Sequence, residues 1–365
     1  MNKWIIICLV CLSNQVHAQH STLLQEYRSK VKAYNQDIKM AGYDAAIQRE
    51  KQKSAKADFL PALSGNANFG YKGNPSEVSV TVPSLNESLN FQGQHNQYGA
   101  SLTLAQPVYT GGALKAGYEK AKKENEQAQY EQQRIINDIM YDADVYYWNK
   151  VARQEMIAVA EEYKTSVSAL VEVVKDRVTE EYTDRNDLLM AEVRLNDAEY
   201  RFTQSCNDAE VARMSMNSFS GVSFDKIIPT DSVVIPLTTV QAYTGTVETA
   251  MASRPELRIA TNEVAIQKSA FQIANAQYLP RLSVGIDGNY SSPGYDFRSG
   301  PDPNYIIYAQ LSIPIFEWGK RKNTRRTGEY SINKTIEQHQ KVADNIRLEI
   351  ETAFYLSLIH ISEPT

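Results

Sequence analysis

Tyr98-Gly-Ala-Ser-Leu-Thr-Leu-Ala-Gln-Pro107, followed by Val108-Tyr109-Thr110-Gly111-Gly112, has a counterpart in Ile307-Tyr-Ala-Gln-Leu-Ser-Ile-Pro314 followed by Ile315-Phe316-Glu317-Trp318-Gly319. In both places an alternating, extended stretch runs into proline, an aromatic and glycine, and a long helical pattern begins at once. Pro107 and Pro314 lie 207 residues apart, and the same offset pairs Tyr147 with Phe354 and Trp148 with Tyr355. Upstream, Ala46-Ile47-Gln48 and Phe59-Leu60-Pro61 match Ala265-Ile266-Gln267 and Tyr278-Leu279-Pro280 at an offset of 219. The fall from 219 to 207 puts twelve extra residues between the two strands of the first copy. Each copy reads helix, strand, loop, strand, helix, and a repeat this long is a duplicated domain rather than a short-period solenoid.

Four segments alternate. Leu63, Gly65, Ala67, Phe69 and Tyr71 oppose Ser64, Asn66, Asn68 and Gly70, and Tyr98, Ala100, Leu102 and Leu104 oppose Gly99, Ser101, Thr103 and Ala105. In the second copy Leu282, Val284, Ile286 and Tyr290 oppose Ser283, Gly285, Asp287 and Asn289, and Ile307, Ala309, Leu311 and Ile313 oppose Tyr308, Gln310 and Ser312. About ten residues with one apolar and one polar face suit a tilted strand in a water-filled membrane barrel. A soluble sandwich shows the same alternation. The stretch 74–96, rich in Ser, Asn, Gly and Gln, reads as an exposed loop.

Helical patterns tilt the balance toward the barrel. Thr22 to Asp58 lacks proline and spaces apolar residues by three and four, and Pro61 ends it. Leu114 to Arg177 contains no proline and a single glycine, Gly117. A helix of that length spans about 96 Å, more than one compact core needs. Val167, Val171, Val174 and Val178 form a coiled-coil seam. After a polar break near 180–186, Leu188, Ala191, Leu195, Ala198, Phe202, Ala209, Ala212, Met216 and Phe219 keep a similar rhythm to Gly221. The two runs fold back as an antiparallel hairpin with its tip near Thr183. Residues 222–246, with Pro229 and Pro236, read as a linking segment.

Lys3, nine apolar residues from Trp4 to Leu12, and Val16-His17-Ala18 before Gln19 form a secretory leader over 1–18. Its loss removes Cys8 and Cys11 and leaves Cys206, which reads as a small apolar helix residue. No later stretch reaches 18 apolar residues, so entry into a membrane would have to use strands. A net charge of −5 gives no electrostatic argument for nucleic acid. The histidines stand in no metal or triad spacing, and neither a nucleophile elbow nor a phosphate loop is present, so an enzyme, a metal or a cofactor is not expected.

Gln106-Pro107-Val108-Tyr109-Thr110-Gly111-Gly112, its partner Ile313-Pro314-Ile315-Phe316-Glu317-Trp318-Gly319, the opening Arg254-Pro255-Glu256-Leu257, the Leu-Pro pairs 60-61 and 279-280, and Arg185-Asn186-Asp187-Leu188-Leu189-Met190-Ala191-Glu192 together resemble the outer-membrane efflux protein family, the trimeric exit ducts typified by TolC. The resemblance covers nearly the whole chain after the leader. It implies an α+β membrane protein in which duplicated helix-strand-strand-helix repeats form a trimeric twelve-stranded barrel continuous with a long periplasmic α-helical barrel. It implies a homotrimer in outer-membrane lipid, acting with a periplasmic adaptor and an inner-membrane transporter of RND, ABC or MFS type. On that reading residues 19–221 are the first repeat (strands about 62–72 and 98–107, hairpin 112–220) and 247–356 an incomplete second one (strands about 281–291 and 305–314).

Passive conduction through a gated tube follows. Lumen candidates are Ser64, Asn66, Asn68, Ser101, Thr103, Ser283, Asp287, Asn289 and Gln310. Entrance and adaptor-contact candidates are Glu181, Thr183, Asp184, Arg185 and Asp187, where a solvated turn capped by Asp184 or Asp187 is an equal reading. Tyr71, Tyr98, Tyr290 and Tyr305 fall near strand ends, as girdle residues do. Two departures from the family stand out. Glu181 occupies a tip position where glycine is common, and the second copy is shorter than the first, with 357–365 reading as a foreign tail. The main rival is a periplasmic adaptor with a coiled-coil hairpin, which has no need of four duplicated strands.

Overall fold

The computed structural model describes residues 22–82, 87–233, 247–293 and 300–362, so the leader read at 1–18, residues 234–246 of the linking segment and the last three residues lie outside it. Among the described residues seven helices and six strands follow one another: α1 (Thr22–Tyr34), α2 (Gln36–Ala57), β1 (Ala62–Tyr71), β2 (Glu77–Val82), β3 (Glu87–Gln92), β4 (Asn96–Tyr109), α3 (Ala113–Thr179), α4 (Arg185–Ser220), α5 (Val247–Ser253), α6 (Pro255–Ala276), β5 (Arg281–Ser292), β6 (Asp302–Ser312) and α7 (Lys320–Ser362). They fall into two compact units, one of residues 1–43, 131–244 and 355–365, the other of 44–130 and 245–354. Among the described residues no helix is long and apolar enough to cross a membrane.

The first unit is helical. Leu24, Tyr27 and Val31 of α1 and Ile38 of α2 meet Ile139, Ala143, Tyr147 and Val151 of α3, Met216 of α4 and Ile228 in one buried cluster. Both central tyrosines keep their hydroxyls paired. Tyr27 donates to the Met216 carbonyl at 3.0 Å, and Tyr147 donates to Asp231 at 2.8 Å while accepting from the Asp231 backbone N–H at 3.0 Å. The start of the linking segment is therefore packed on the helices. Arg28 forks onto Asp144, and this partner raises the guanidinium pKa above its ordinary value.

From the core α3 and α4 run on as the antiparallel hairpin. Lys164 faces Glu199 at 3.5 Å and Arg153 faces Asp208 at 3.4 Å across it. Val167, Val171, Ala191 and Ala198 are buried along the seam, and Val174, Val178, Leu188, Leu195 and Phe202 are half-buried. A valine opposite an alanine lets two helices approach closely, so even an isolated pair buries its seam.

The second unit carries a four-stranded antiparallel sheet in the order β1-β4-β5-β6. Its hairpins keep the two sequence offsets. Ala62 pairs Ala105 in the first, and Arg281 pairs Ser312 in the second, at positions 219 and 207 residues further on. The duplication thus holds at the level of individual hydrogen-bonded partners.

Four expectations need correction. The helix read over 22–58 is broken at Asn35, whose side chain accepts from the backbone N–H of Asp37 at 2.9 Å and of Ile38 at 3.2 Å and so starts α2. The stretch read as loop contains β2 and β3, paired from Glu77–Gln92 to Val82–Glu87. β4 continues through Pro107 to Tyr109 because a register shift between these residues absorbs the missing N–H. Strand β6 starts at Asp302 and ends at Ser312, short of Pro314, while α7 continues to Ser362 where a helix end was not expected.

Candidate functional site

Strand register settles which side chains share a face. Ser64, Thr103 and Asp287 lie in one row across β1, β4 and β5. Asn66, Ser101, Asn289 and Asn304 form the next, and Asn68, Gly99, Ser291 and Asp302 the one after. Ser283 pairs Gln310 on the same side. All nine residues read as lumen candidates thus occupy one face of the sheet. Thr103 Oγ1 donates to Asp287 Oδ1 at 3.0 Å, so neighbouring polar side chains also satisfy one another. Ile306 completes the first row and is its apolar exception.

The other face is apolar and more exposed. In β4 the residues Leu102 and Leu104 are exposed while Ser101 and Thr103 are half-buried; in β5 Val284, Ile286 and Tyr290 are exposed while Asp287 and Asn289 are half-buried. In these two central strands, exposure of the apolar side and shelter of the polar side invert the pattern of a soluble sheet and match a barrel wall in lipid. Aromatics gather near the loop end of this face: Phe69 opposite Tyr98, then Tyr290 and Tyr305 within the next two rows, with Tyr71 ending β1. Ile315, Phe316 and Trp318 are exposed where β6 gives way to α7.

At the hairpin tip Glu181 and Asp184 have definite backbone tasks. Tyr182 N–H reaches the Arg177 carbonyl at 2.8 Å and Glu181 N–H the Val178 carbonyl at 3.1 Å, which closes α3 in a Schellman turn. Glu181 stands at its left-handed position with φ +62°. Asp184, extended at φ −83° and ψ 152°, is the N-cap of α4 and accepts from Asn186 N–H. Thr183 Oγ1 donates to Asp187, and Arg185 opens α4 as an exposed side chain. Tyr182, 82% exposed, is the tip's one large apolar group, and the sequence reading passed over it. Its neighbourhood is polar, so no periodicity marked it.

The outer membrane efflux protein family model matches residues 27–220 and 246–363. A comparison with curated proteins finds no match by sequence. Among solved structures the chain is similar to the Campylobacter jejuni CmeC outer membrane channel, with 16% identity, a TM-score of 0.76, and 91% of this chain covering 70% of that one. It is similar to the outer membrane protein VceC of Vibrio cholerae, with 17% identity, a TM-score of 0.74, and coverage of 92% and 79%. It is also similar to the open state of the Neisseria gonorrhoeae MtrE outer membrane channel, with 16% identity, a TM-score of 0.72, and coverage of 91% and 72%. The structural likenesses establish the fold, and the family model spans both copies of the repeat, so the chain belongs to the outer membrane efflux protein family.

Proposed function

We propose that the polar sheet face is the lumen wall, and the α3–α4 tip the periplasmic entrance, of the channel this chain builds. The chain is an outer-membrane efflux channel subunit, acting as a trimer with a periplasmic adaptor and an inner-membrane pump. One observation carries the lumen reading: nine polar candidates share one face, and in the two central strands that face is the sheltered one while the apolar face is exposed. Four strands cannot close on themselves, and β1 and β6 are open edges. Lipid offers no partner for an edge N–H or C=O, so the edges must join those of other copies. Three copies supply the twelve strands of an even-numbered barrel. The apolar face then meets outer-membrane lipid.

At the entrance, Asp184 and Asp187 from three subunits would place acidic groups around one opening and favour cations. Opening would loosen the hairpin seams rather than refold the tip. The hairpin end also offers Tyr182 and Arg185 to an adaptor, with an inner-membrane transporter of RND, ABC or MFS type behind it. An adaptor role for this chain itself gains no support, since it leaves the duplicated sheet without a purpose.

Planar-bilayer recording tests the ring. Asp184→Asn with Asp187→Asn keeps a capping acceptor and removes two charges per subunit. Reversal potentials should move toward anions under a salt gradient, and an unmoved reversal potential would count against the acidic entrance.

A further inference from the structure

We infer that the joint between neighbouring subunits repeats, residue for residue, the joint between the two copies inside one chain, so that β6 pairs with the neighbour's β1 in a fixed register that sets Gln310 opposite Asn68. This rests on the trimeric channel reading above and adds the register and its charge pairing.

The inner joint lies between β4 and β5. β4, the second strand of copy one, pairs with β5, the first strand of copy two, from Tyr98–Ser292 through Thr103–Asp287 to Pro107–Ser283. Both hairpins keep their partners under the offsets of 207 and 219. Moving the β4 member forward by 207 and the β5 member back by 219 converts each inner pair into a pair between β6 and β1. Thr103–Asp287 becomes Gln310–Asn68, Ala105–Gly285 becomes Ser312–Asn66, and Leu104–Ile286 becomes Leu311–Ala67.

Because both hairpins keep their own offsets, each converted pair necessarily shares one face of the sheet, so the faces set no barrier to this register. Gln310, Ser312, Asn68 and Asn66 all lie on the polar face, and Leu311 and Ala67 on the apolar one. Thr103 and Asp287 share a hydrogen bond inside the chain, and two amides, each both donor and acceptor, replace them at the joint.

The helices beside the sheet give an independent check. Within the chain Gln127 of α3 donates to Glu263 of α6 at 3.3 Å. The same offsets convert this pair into Lys334 of α7 and Asp44 of the neighbour's α2, two exposed residues of opposite charge. An open cavity of about 630 Å³ between α6 and α7, lined by Phe271, Ala274, Trp318, Thr324 and Gly328, lies where the neighbour's α2 would arrive.

Paired cysteines in the full chain, with Cys206→Ser to remove the native thiol, test the register in outer-membrane extracts. Thr103→Cys with Asp287→Cys is the inner control and should give an intramolecular disulfide. Gln310→Cys with Asn68→Cys should give reducible dimer and trimer bands. Gln310→Cys with Asn66→Cys or with Gly70→Cys, one same-face step away, should give few. Separately, Asp44→Lys should reduce the trimer fraction severalfold, and adding Lys334→Asp should restore it. Crosslinking through a shifted pair, or a trimer by light scattering with no 310–68 crosslink, overturns the register while leaving the trimeric channel standing. A chain that stays monomeric in native extracts overturns both.

Discussion

Gly111 and Trp318 hold the same place in the two copies, 207 residues apart, and both adopt the left-handed backbone, at φ +64° and +48°. Gly112 and Gly319 follow suit at +89° and +80°. The turn from strand to helix is therefore conserved in backbone while its side chain changes from none to the largest. Copy one has no room for anything else: a Cβ on Gly111 would lie 2.7 Å from Leu279 Cβ and 2.8 Å from the Ala276 carbonyl. Trp318 is 89% exposed, and the offsets would set it against the neighbour's Ala57 and Leu60.

Gly111→Ala should destabilise the inner joint by about 2–4 kcal/mol, from left-handed strain plus overpacking. Loss of heat resistance of the trimer band on gels reports it; a variant as heat-resistant as the parent would mean the joint yields freely.

Trp318 doubles as an assembly probe. Trp4→Phe with Trp148→Phe leaves Trp318 as the sole tryptophan of the sequence. Its emission should be red in detergent monomers and shift to the blue in trimers as the ring leaves water. Equal emission and equal iodide quenching in both states would contradict burial at the joint.

Glu181 holds the left-handed backbone that glycine adopts without steric cost. A non-glycine residue at the left-handed end of a Schellman turn bears a strain of about 1–2 kcal/mol, so Glu181→Gly should stabilise the tip by roughly that amount. Glu181→Gln keeps the strain and removes the charge. Hydrogen exchange over 178–188 should slow in the glycine variant alone; slowing in both would assign the effect to charge.

Asp184 separates capping from conduction. Asp184→Ala should cost α4 about 1 kcal/mol, seen as faster exchange over its first turn. Asp184→Asn retains the cap and should leave exchange unchanged while altering selectivity.

Much of this architecture was legible because repetition is independent of propensity. Two constant offsets marked the strands of both copies and their alternation marked the polar face before any contact was known, and long proline-free runs gave the hairpin; the pairing order came from the structure. What escaped was local. At Asn35 the spacing from Tyr34 to Ile38 carries on through the break, so a side-chain cap hid inside an unbroken period. β2 and β3 were masked by a loop-like composition, although Val78, Val80 and Val82 alternate with Ser79 and Thr81. The left-handed Trp318 could not be read from a residue type that avoids that conformation, only from its alignment with Gly111.

Tyr27 and Lys150 test the helical core from two sides. Tyr27 is fully buried and its hydroxyl satisfies the Met216 carbonyl, while burial pushes its pKa upward. Tyr27→Phe should cost about 1 kcal/mol by removing one hydrogen bond to that carbonyl, which Ser220 Oγ also reaches at 3.2 Å. Lys150 hydrogen-bonds Thr230 and Gln154, and partial burial lowers its pKa from the ordinary lysine value. Between the lowered folded value and the ordinary one the unfolded chain binds more protons, so this group makes stability rise with pH through that window. Unfolding midpoints measured from pH 7 to 10 should climb in the parent relative to Lys150→Met, in which the titrating group is gone. Parallel profiles would show that Lys150 is solvated like a surface lysine, and the linking segment would then not seal the core beside it.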